Sequence, residues 1–361
     1  MTKTRVAIIG CGNIAGPYSN DIRKQPCLEI AGYSDIEQAR AQQFASEHGG
    51  KAYANLEEAL GDPNVDVIVN LTIFQAHYEV VKAALLAGKH AYSEKPLALK
   101  ADEALELVEL AKSKNLKLGC APITFLGEAQ QTAMKMVREG KIGTPRVVYA
   151  EVNHGRIESW HPNPAPFYAV GPNLDVGVYP LALTTALFGR VKQLTAFART
   201  LSPKRITKEG VAFTITVPDF YVVNLEFDGV DGKPGVLVRL TTNFYVSGST
   251  NQGEGIEFHG DLGSLHLHSW FVANSKLEYA DFGKAYEAIP LIKETDQAID
   301  WSRGLHDFCD AIQNGTRSRV TGDQAAHVVE ILSATDESAR TGQTVVLKSN
   351  FEIPAPMDFA K

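Results

Sequence analysis

An apolar strand, Arg5-Val-Ala-Ile-Ile9, runs directly into Gly10-Cys11-Gly12-Asn13-Ile14-Ala15. A Gly-x-Gly-x-x-Ala turn between a strand and a helix narrows what this chain can become. The first glycine permits a tight turn, the second leaves room for a pyrophosphate beside the backbone, and Ala15 lets the helix pack closely on the strand. The free N–H groups of the helix start favour the phosphates. A second apolar strand, Leu28 to Tyr33, ends in Ser34-Asp35. An acid at that place accepts hydrogen bonds from a ribose. Strand, turn, helix, strand and acid in this order predict a dinucleotide site. Asp35 favours NAD, since it would repel the extra phosphate of NADP. Arg40, one helical turn on, leaves NADP open.

The rest of the first third repeats the pattern. Val65-Asp-Val-Ile-Val-Asn70 and His90-Ala-Tyr-Ser93 read as buried strands, and Leu116 to Cys120 closes the series. Helical stretches separate them. Such alternation predicts a parallel sheet covered on both faces. Ligands of such sheets sit beyond the carboxyl ends of the strands. That rule selects the glycine turn, the tip Thr72-Ile73-Phe74 with His77, and the tip Glu94-Lys95-Pro96. On residue types alone Glu94-Lys95 is an ordinary ion pair. Beside a nicotinamide, Lys95 can hydrogen-bond a substrate oxygen and help move its proton. Glu94 can anchor the cofactor or orient Lys95.

Together Gly10-x-Gly12-Asn13-Ile14-Ala15, the Thr72…His77 segment and Glu94-Lys95-Pro96 resemble the glucose-fructose oxidoreductase / inositol dehydrogenase / MocA family. Ile73 stands where the family usually has proline. The resemblance implies Gly10, Gly12, Asn13, Ile14, Asp35, Thr72, Ile73, Phe74, His77, Glu94 and Lys95 as cofactor residues.

Beyond a hinge at Ala121-Pro122, a helix and an Ile-Gly-x-Pro turn lead into a strand from Arg146 to Asn153. The stretch His154 to Tyr179 follows, rich in Pro, Trp, His and Tyr and without a regular period. A long ordered loop of this kind is usually functional. Thr124, His154, Arg156, Trp160, His161 and Tyr168 are therefore candidate substrate contacts. Asp175 and Tyr179 stand four apart, on one helix face. On spacing alone they are a helix-start acid and a buried phenol. The resemblance reverses this, because the family carries Asp-x-x-x-His or Asp-x-x-x-Tyr beside the nicotinamide. It implies Lys95, Asp175 and Tyr179 as catalytic groups, and leaves open whether Lys95 or Tyr179 transfers the proton. The glycine run that normally precedes this Asp is reduced to Gly171.

From Gln193 the pattern alternates through strands Leu194–Thr200, Ala212–Val217, Tyr221–Phe227, Gly235–Phe244, Ile256–His259, Ser264–His268 and Lys276–Tyr279. Turn signals such as Asp228-Gly229 and Asp231-Gly232 separate them. A large, mostly antiparallel sheet is expected. His266 and His268 share a strand face, but no third ligand is evident, so no metal site is expected. Helices return after Asp300.

The expected fold is α/β: a Rossmann dinucleotide-binding domain over 1–121 and an α+β substrate-binding and oligomerisation domain over 122–361, with an open sheet. The expected activity is hydride transfer between NAD, or NADP, and a carbinol or carbonyl of a sugar, polyol or related cyclic compound. Two alternatives stand. A tightly held NAD could oxidise a sugar transiently for elimination or glycoside cleavage. A redox sensor without turnover would need neither Lys95, Asp175 nor Tyr179. The net charge of -7 argues against nucleic acid and anionic membranes, and no apolar run reaches membrane length. Four cysteines without a C-x-x-C pair suggest neither a zinc ribbon nor a disulfide framework. Cytoplasmic residence and a homodimer or homotetramer through the second sheet are expected.

Overall fold

Strands that must be covered on both faces read as continuous apolar runs. The runs at 6–9 and 67–69 do. The computed structural model describes residues 3–229, 232, 235–248 and 254–361. In it the segments β1 (Thr4–Ile9), β2 (Leu28–Ser34), β3 (Lys51–Ala52), β4 (Val67–Asn70), β5 (His90–Ser93) and β6 (Leu118–Cys120) form one parallel sheet. Its order is β3-β2-β1-β4-β5-β6. Helices α1 (Ala15–Ile22), α2 (Gln38–His48), α3 (Leu56–Gly61), α4 (His77–Leu86) and α5 (Ala101–Ser113) connect the strands. All four residues of β4 are buried. The order reverses direction at β1 and β4, the switch point beyond which ligands of such sheets bind.

Packing divides the chain into two compact units, and the division differs from the expected 1–121 and 122–361. The first unit is Met1–Ile123 with Asp300–Val329, the second Thr124–Ile299 with Glu330–Lys361. The late segment joins the first unit because its apolar face has a place there. Phe308 is 1% exposed and its ring lies 5.8 Å from that of Tyr92 on β5. A Cβ on Gly119 of β6 would come within 2.6 Å of that Phe308 ring, so the strand needs its glycine to admit the ring.

The second unit begins with α6 (Glu128–Arg138), β7 (Pro145–Asn153), α7 (Ala165–Val176) and α8 (Val178–Phe188). Strands follow: β8 (Val191–Arg199), β9 (Lys204–Ile206), β10 (Ala212–Thr214), β11 (Phe220–Phe227), β12 (Leu237–Asn243), β13 (Glu254–Gly260), β14 (Gly263–Leu267), β15 (Leu277–Asp281) and β16 (Glu287–Ala288). After α9 (Arg303–Gln313) and α10 (Gly322–Thr341) the last strand is β17 (Val345–Val346). Among the described residues the large sheet has the order β16-β15-β14-β13-β7-β12-β11-β8-β17. Its pairs are antiparallel except β7 with β12. Burial alternates along β11 and β14, as one covered face requires.

Two expectations need correction. The segment from Ala212 does not enter the large sheet; β10 pairs with β9 in a two-stranded sheet of their own, because β11 takes the place beside β8. The stretch after His154 is not all loop, since α7 occupies its second half. Its sequence hides this helix because Gly171 breaks it at φ +75°, followed by Pro172. Asp231 of an expected turn lies outside the described residues. No helix among the described residues is long and apolar enough to cross a membrane.

Candidate active site

Gly10 sits where the β1 turn meets the chain leaving β4. Its φ is +97°, and a Cβ there would lie 2.7 Å from the carbonyl group of Leu71 and 2.8 Å from the Thr72 nitrogen. Only glycine fits such a close approach of two backbones. A Cβ on Gly12 would meet nothing within 4 Å. The turn is thus closed on one side and open on the other, and Ala15 is fully buried against the sheet. Asp35 holds the turn from the end of β2. Its carboxylate accepts from the Cys11 N–H at 2.7 Å and from the Glu37 N–H at 2.8 Å. Burial, with the Asp35 charge adding to it, pushes the Cys11 thiol up to about 12. A glycine turn at the start of a helix and a carboxylate at the next strand end are features a dinucleotide site uses.

The tips of β4 and β5 are locked to each other by a residue that sequence reasoning missed. Asn70 is fully buried. Its Nδ2 donates to Ser93 Oγ at 3.1 Å and to the His77 carbonyl at 3.3 Å. Its Oδ1 accepts from the Thr72 hydroxyl at 2.6 Å and from the Thr72 N–H at 3.2 Å. His77 works the same way. Its ring is fully buried, with Nδ1 at 2.6 Å from the Pro96 carbonyl and Nε2 at 3.1 Å from the Thr72 carbonyl. Burial holds its pKa below the ordinary imidazole value. The ring therefore braces the two tips from inside, whereas Ile73 stands exposed.

Glu94 and Lys95 are buried at the β5 tip, 8% and 9% exposed. This is no loose surface pair. Tyr18 of α1, itself fully buried, donates its hydroxyl to Glu94 Oε1 at 2.7 Å. Glu94 Oε2 accepts the Lys95 N–H at 3.1 Å. The Lys95 ammonium lies 5.3 Å from the centroid of the Phe74 ring, within cation–π range. The Lys95-Pro96 bond is cis.

In the second unit, Asp175 and Tyr179 do not lie on one uninterrupted α-helix. Asp175 is in the last turn of α7 and Tyr179 in the first turn of α8. At the junction the Gly177 N–H donates to the Pro172 carbonyl, five residues back, at 3.0 Å. That turn is wider than an α-turn, an irregularity frequent at functional sites. A Cβ on Gly177 would lie 2.5 Å from the Asn173 carbonyl oxygen, so the junction depends on glycine. Asp175 is 5% exposed. The Tyr179 ring packs 4.8 Å from Trp270 and 5.2 Å from Phe271.

The candidate substrate residues divide into two groups. Trp160 is 48% exposed and stacks edge-on with His154, His161 and Phe167. His154 faces Glu254 at 3.5 Å, and the Arg156 guanidinium lies 4.5 Å over the Tyr245 ring. These remain open to a ligand. Tyr168 does not. It is 4% exposed and donates its hydroxyl to Glu158. Glu158 in turn accepts from Arg205 at 2.9 Å, and Arg205 also pairs with the fully buried Asp219. Tyr168 belongs to this buried charge network, which holds the loop in shape. Thr124 is buried, and its hydroxyl has no partner among the described residues.

Comparison with known proteins identifies the family. Residues 4–121 match the oxidoreductase family with an NAD-binding Rossmann fold, and residues 130–266 match the C-terminal domain of GFO/IDH/MocA proteins. The chain belongs to the Gfo/Idh/MocA family. It is an oxidoreductase of that family. The 1,5-anhydro-D-fructose reductase of Ensifer adhaerens is 26% identical over 355 residues, covering 96% of this chain and 99% of the relative. The trans-1,2-dihydrobenzene-1,2-diol dehydrogenase of Oryctolagus cuniculus is 30% identical over 67% of this chain and 72% of its own length. Among solved structures, a levoglucosan dehydrogenase in complex with NADH and L-sorbose has a TM-score of 0.81 at 20% identity, covering 96% of this chain and 99% of that one. The aldose-aldose oxidoreductase of Caulobacter crescentus has a TM-score of 0.80, also at 20% identity, covering 96% of this chain and 100% of that one. Those two structures share the fold.

Proposed function

We propose that this chain is an NAD-dependent dehydrogenase or reductase acting on a CH–OH or carbonyl group of a sugar, polyol or related cyclic compound. The full-length relative is named for a cyclic sugar derivative and the mammalian one for a cyclic diol. Gly10, Gly12, Asn13 and Ile14 would hold the pyrophosphate, and Asp35 the ribose. Thr72, Ile73, Phe74 and Glu94 would border the nicotinamide half, with His77 as their internal brace. The bound nicotinamide supplies or accepts the hydride. NAD is favoured because the Asp35 carboxylate is already tied to the glycine turn and would face the extra phosphate of NADP.

The observation that carries the reading is Lys95. A lysine 9% exposed at a Rossmann strand tip, beside a glutamate anchored by a buried tyrosine, costs folding energy that an exposed lysine would not. An ammonium there polarises a substrate carbonyl or holds a hydroxyl while its proton leaves. Asp175 and Tyr179 are the other proton-handling groups in this reading, with Trp160, His161, His154 and Arg156 reading the substrate's ring and hydroxyls. The test is Lys95→Met. Turnover with the best compound of a sugar and cyclic-diol panel should fall by roughly 10²–10⁴-fold, while NADH binding stays within a few-fold of the parent. Turnover close to the parent's would overturn the assignment of Lys95.

A homo-oligomer formed through the open sheet face is part of the same reading. That face exposes Phe197, Leu237 and Tyr149. Cytoplasmic residence is proposed on the four free thiols, which suit a reducing compartment.

A further inference from the structure

Near one edge of the large sheet, three side chains converge on one point. His266 lies on β14 and His268 follows directly after its end, two residues on, where its N–H donates to the Lys276 carbonyl at 3.1 Å. Glu278 of β15 is the cross-strand partner of His266. The imidazole rings stack 3.9 Å apart. Glu278 Oε2 lies 2.5 Å from His268 Nε2 and 3.9 Å from His266 Nδ1. All three potential ligand atoms fall within 4.8 Å of one another. Among the described residues this is the one group of three His, Cys, Asp or Glu side chains that meets so closely.

We propose that His266, His268 and Glu278 form a binding site for a borderline divalent transition-metal ion of the zinc type. Two imidazoles and one carboxylate are ligands for zinc, copper or nickel rather than for magnesium or calcium, which take oxygen ligands. Ligands about 2.0–2.2 Å from a tetrahedral ion stand roughly 3.3–3.6 Å apart. The observed separations bracket that range, so rotation of the three side chains closes the site with the strands in place. Nδ1 is the ligand atom of His266, because its Nε2 backs onto β13. A Cβ on Gly255 would lie 3.3 Å from that Nε2.

The surroundings complete the site. Lys276 holds Glu278 Oε1 at 2.5 Å, leaving Oε2 toward the histidines. On the other side Glu257 of β13 is the cross-strand partner of His266, and its carboxylate pairs with His259 at 3.2 Å. Glu257 balances the charge that Lys276 contributes. His266, His268 and Glu278 are partly exposed, with side-chain exposures of 22%, 36% and 15%. An ion can therefore enter, and water fills the fourth position. The site joins β14 to β15 close to the edge of the sheet, and its role is to fasten that outer hairpin.

The test reads metal binding rather than turnover. Zinc chloride is titrated into the intact, metal-stripped protein by calorimetry, alongside His266→Gln, His268→Gln and Glu278→Gln. Circular dichroism confirms that each variant is folded. One equivalent of zinc should bind the parent with a Kd at or below about 10 µM, and each variant should bind at least about 50-fold more weakly, since each removes one of only three protein ligands. Magnesium should not compete. The parent's melting temperature should rise with zinc, while the variants' should not. The proposal fails if the parent binds no zinc below millimolar concentrations. It fails equally if folded variants keep the parent's stoichiometry and affinity, which would mean that zinc sits elsewhere.

Discussion

Tyr18 shows how much of the candidate site rests on residues that never touch a ligand. It lies on α1, directly after the glycine turn, and its hydroxyl crosses to Glu94 at the β5 tip. Burial, with the Glu94 charge adding to it, holds the phenol well above its ordinary pKa, so it stays a donor. Tyr18→Phe removes that donor and keeps the packing. It should cost about 1–3 kcal/mol of stability, the cost of leaving a buried acceptor short of a partner. It should also lower kcat more than it raises KM, because Glu94 no longer fixes the strand tip that carries Lys95. Urea unfolding and steady-state kinetics with NADH check the two halves. Unchanged kinetics in a destabilised protein would make Tyr18 a purely structural residue. At this scale the glycines, Asp35 and Lys95 are legible because motif spacing announces them. Tyr18 and Asn70 are not, since each acts through a partner that only the fold brings near.

Among elements, the segment between β7 and α8 carries the least regular sequence, and a buried charge network reaches it from outside. Arg205 of β9 is 4% exposed and bridges Glu158 to Asp219. Its guanidinium also lies 5.5 Å from the Tyr168 ring centroid and 5.3 Å from that of Tyr245. Four separate segments are thereby pinned to one cation. Removing one partner of a buried ion network leaves the others unpaired, at a cost of about 3–5 kcal/mol. Arg205→Met should show that loss in denaturant melts, and Trp160, an exposed residue of the same loop, should report loosening through its fluorescence. A variant as stable as the parent would contradict the account of the loop. None of this is legible in the local pattern, because β9 is three residues long and its neighbours in space are 47 and 14 positions away in sequence. Distance in sequence also hides Glu278, whose meeting with His266 depends on the register of β14 against β15, whereas α7 is hidden locally, by Gly171 and Pro172 interrupting its helical period.

At the scale of the molecule, the nucleotide unit is legible almost entirely in the first third of the chain, where alternating strands and helices pack against their sequence neighbours. What the sequence conceals is that Asp300–Val329 returns to that unit. A late amphipathic helix looks the same whichever core receives it, and only the space above Gly119 and Tyr92 decides. In the proposed reading this unit holds NAD through a closed Gly10 turn and the Asp35 carboxylate. The decisive experiment titrates the intact protein with NADH and with NADPH, in parent and Asp35→Ser, following nucleotide fluorescence. NADH should bind the parent at least about tenfold more tightly than NADPH, a difference of roughly 1.4 kcal/mol, and Asp35→Ser should narrow that gap. Failure of the parent to bind either nucleotide, or a preference for NADPH that Asp35→Ser leaves unchanged, would rule out this mode of NAD binding.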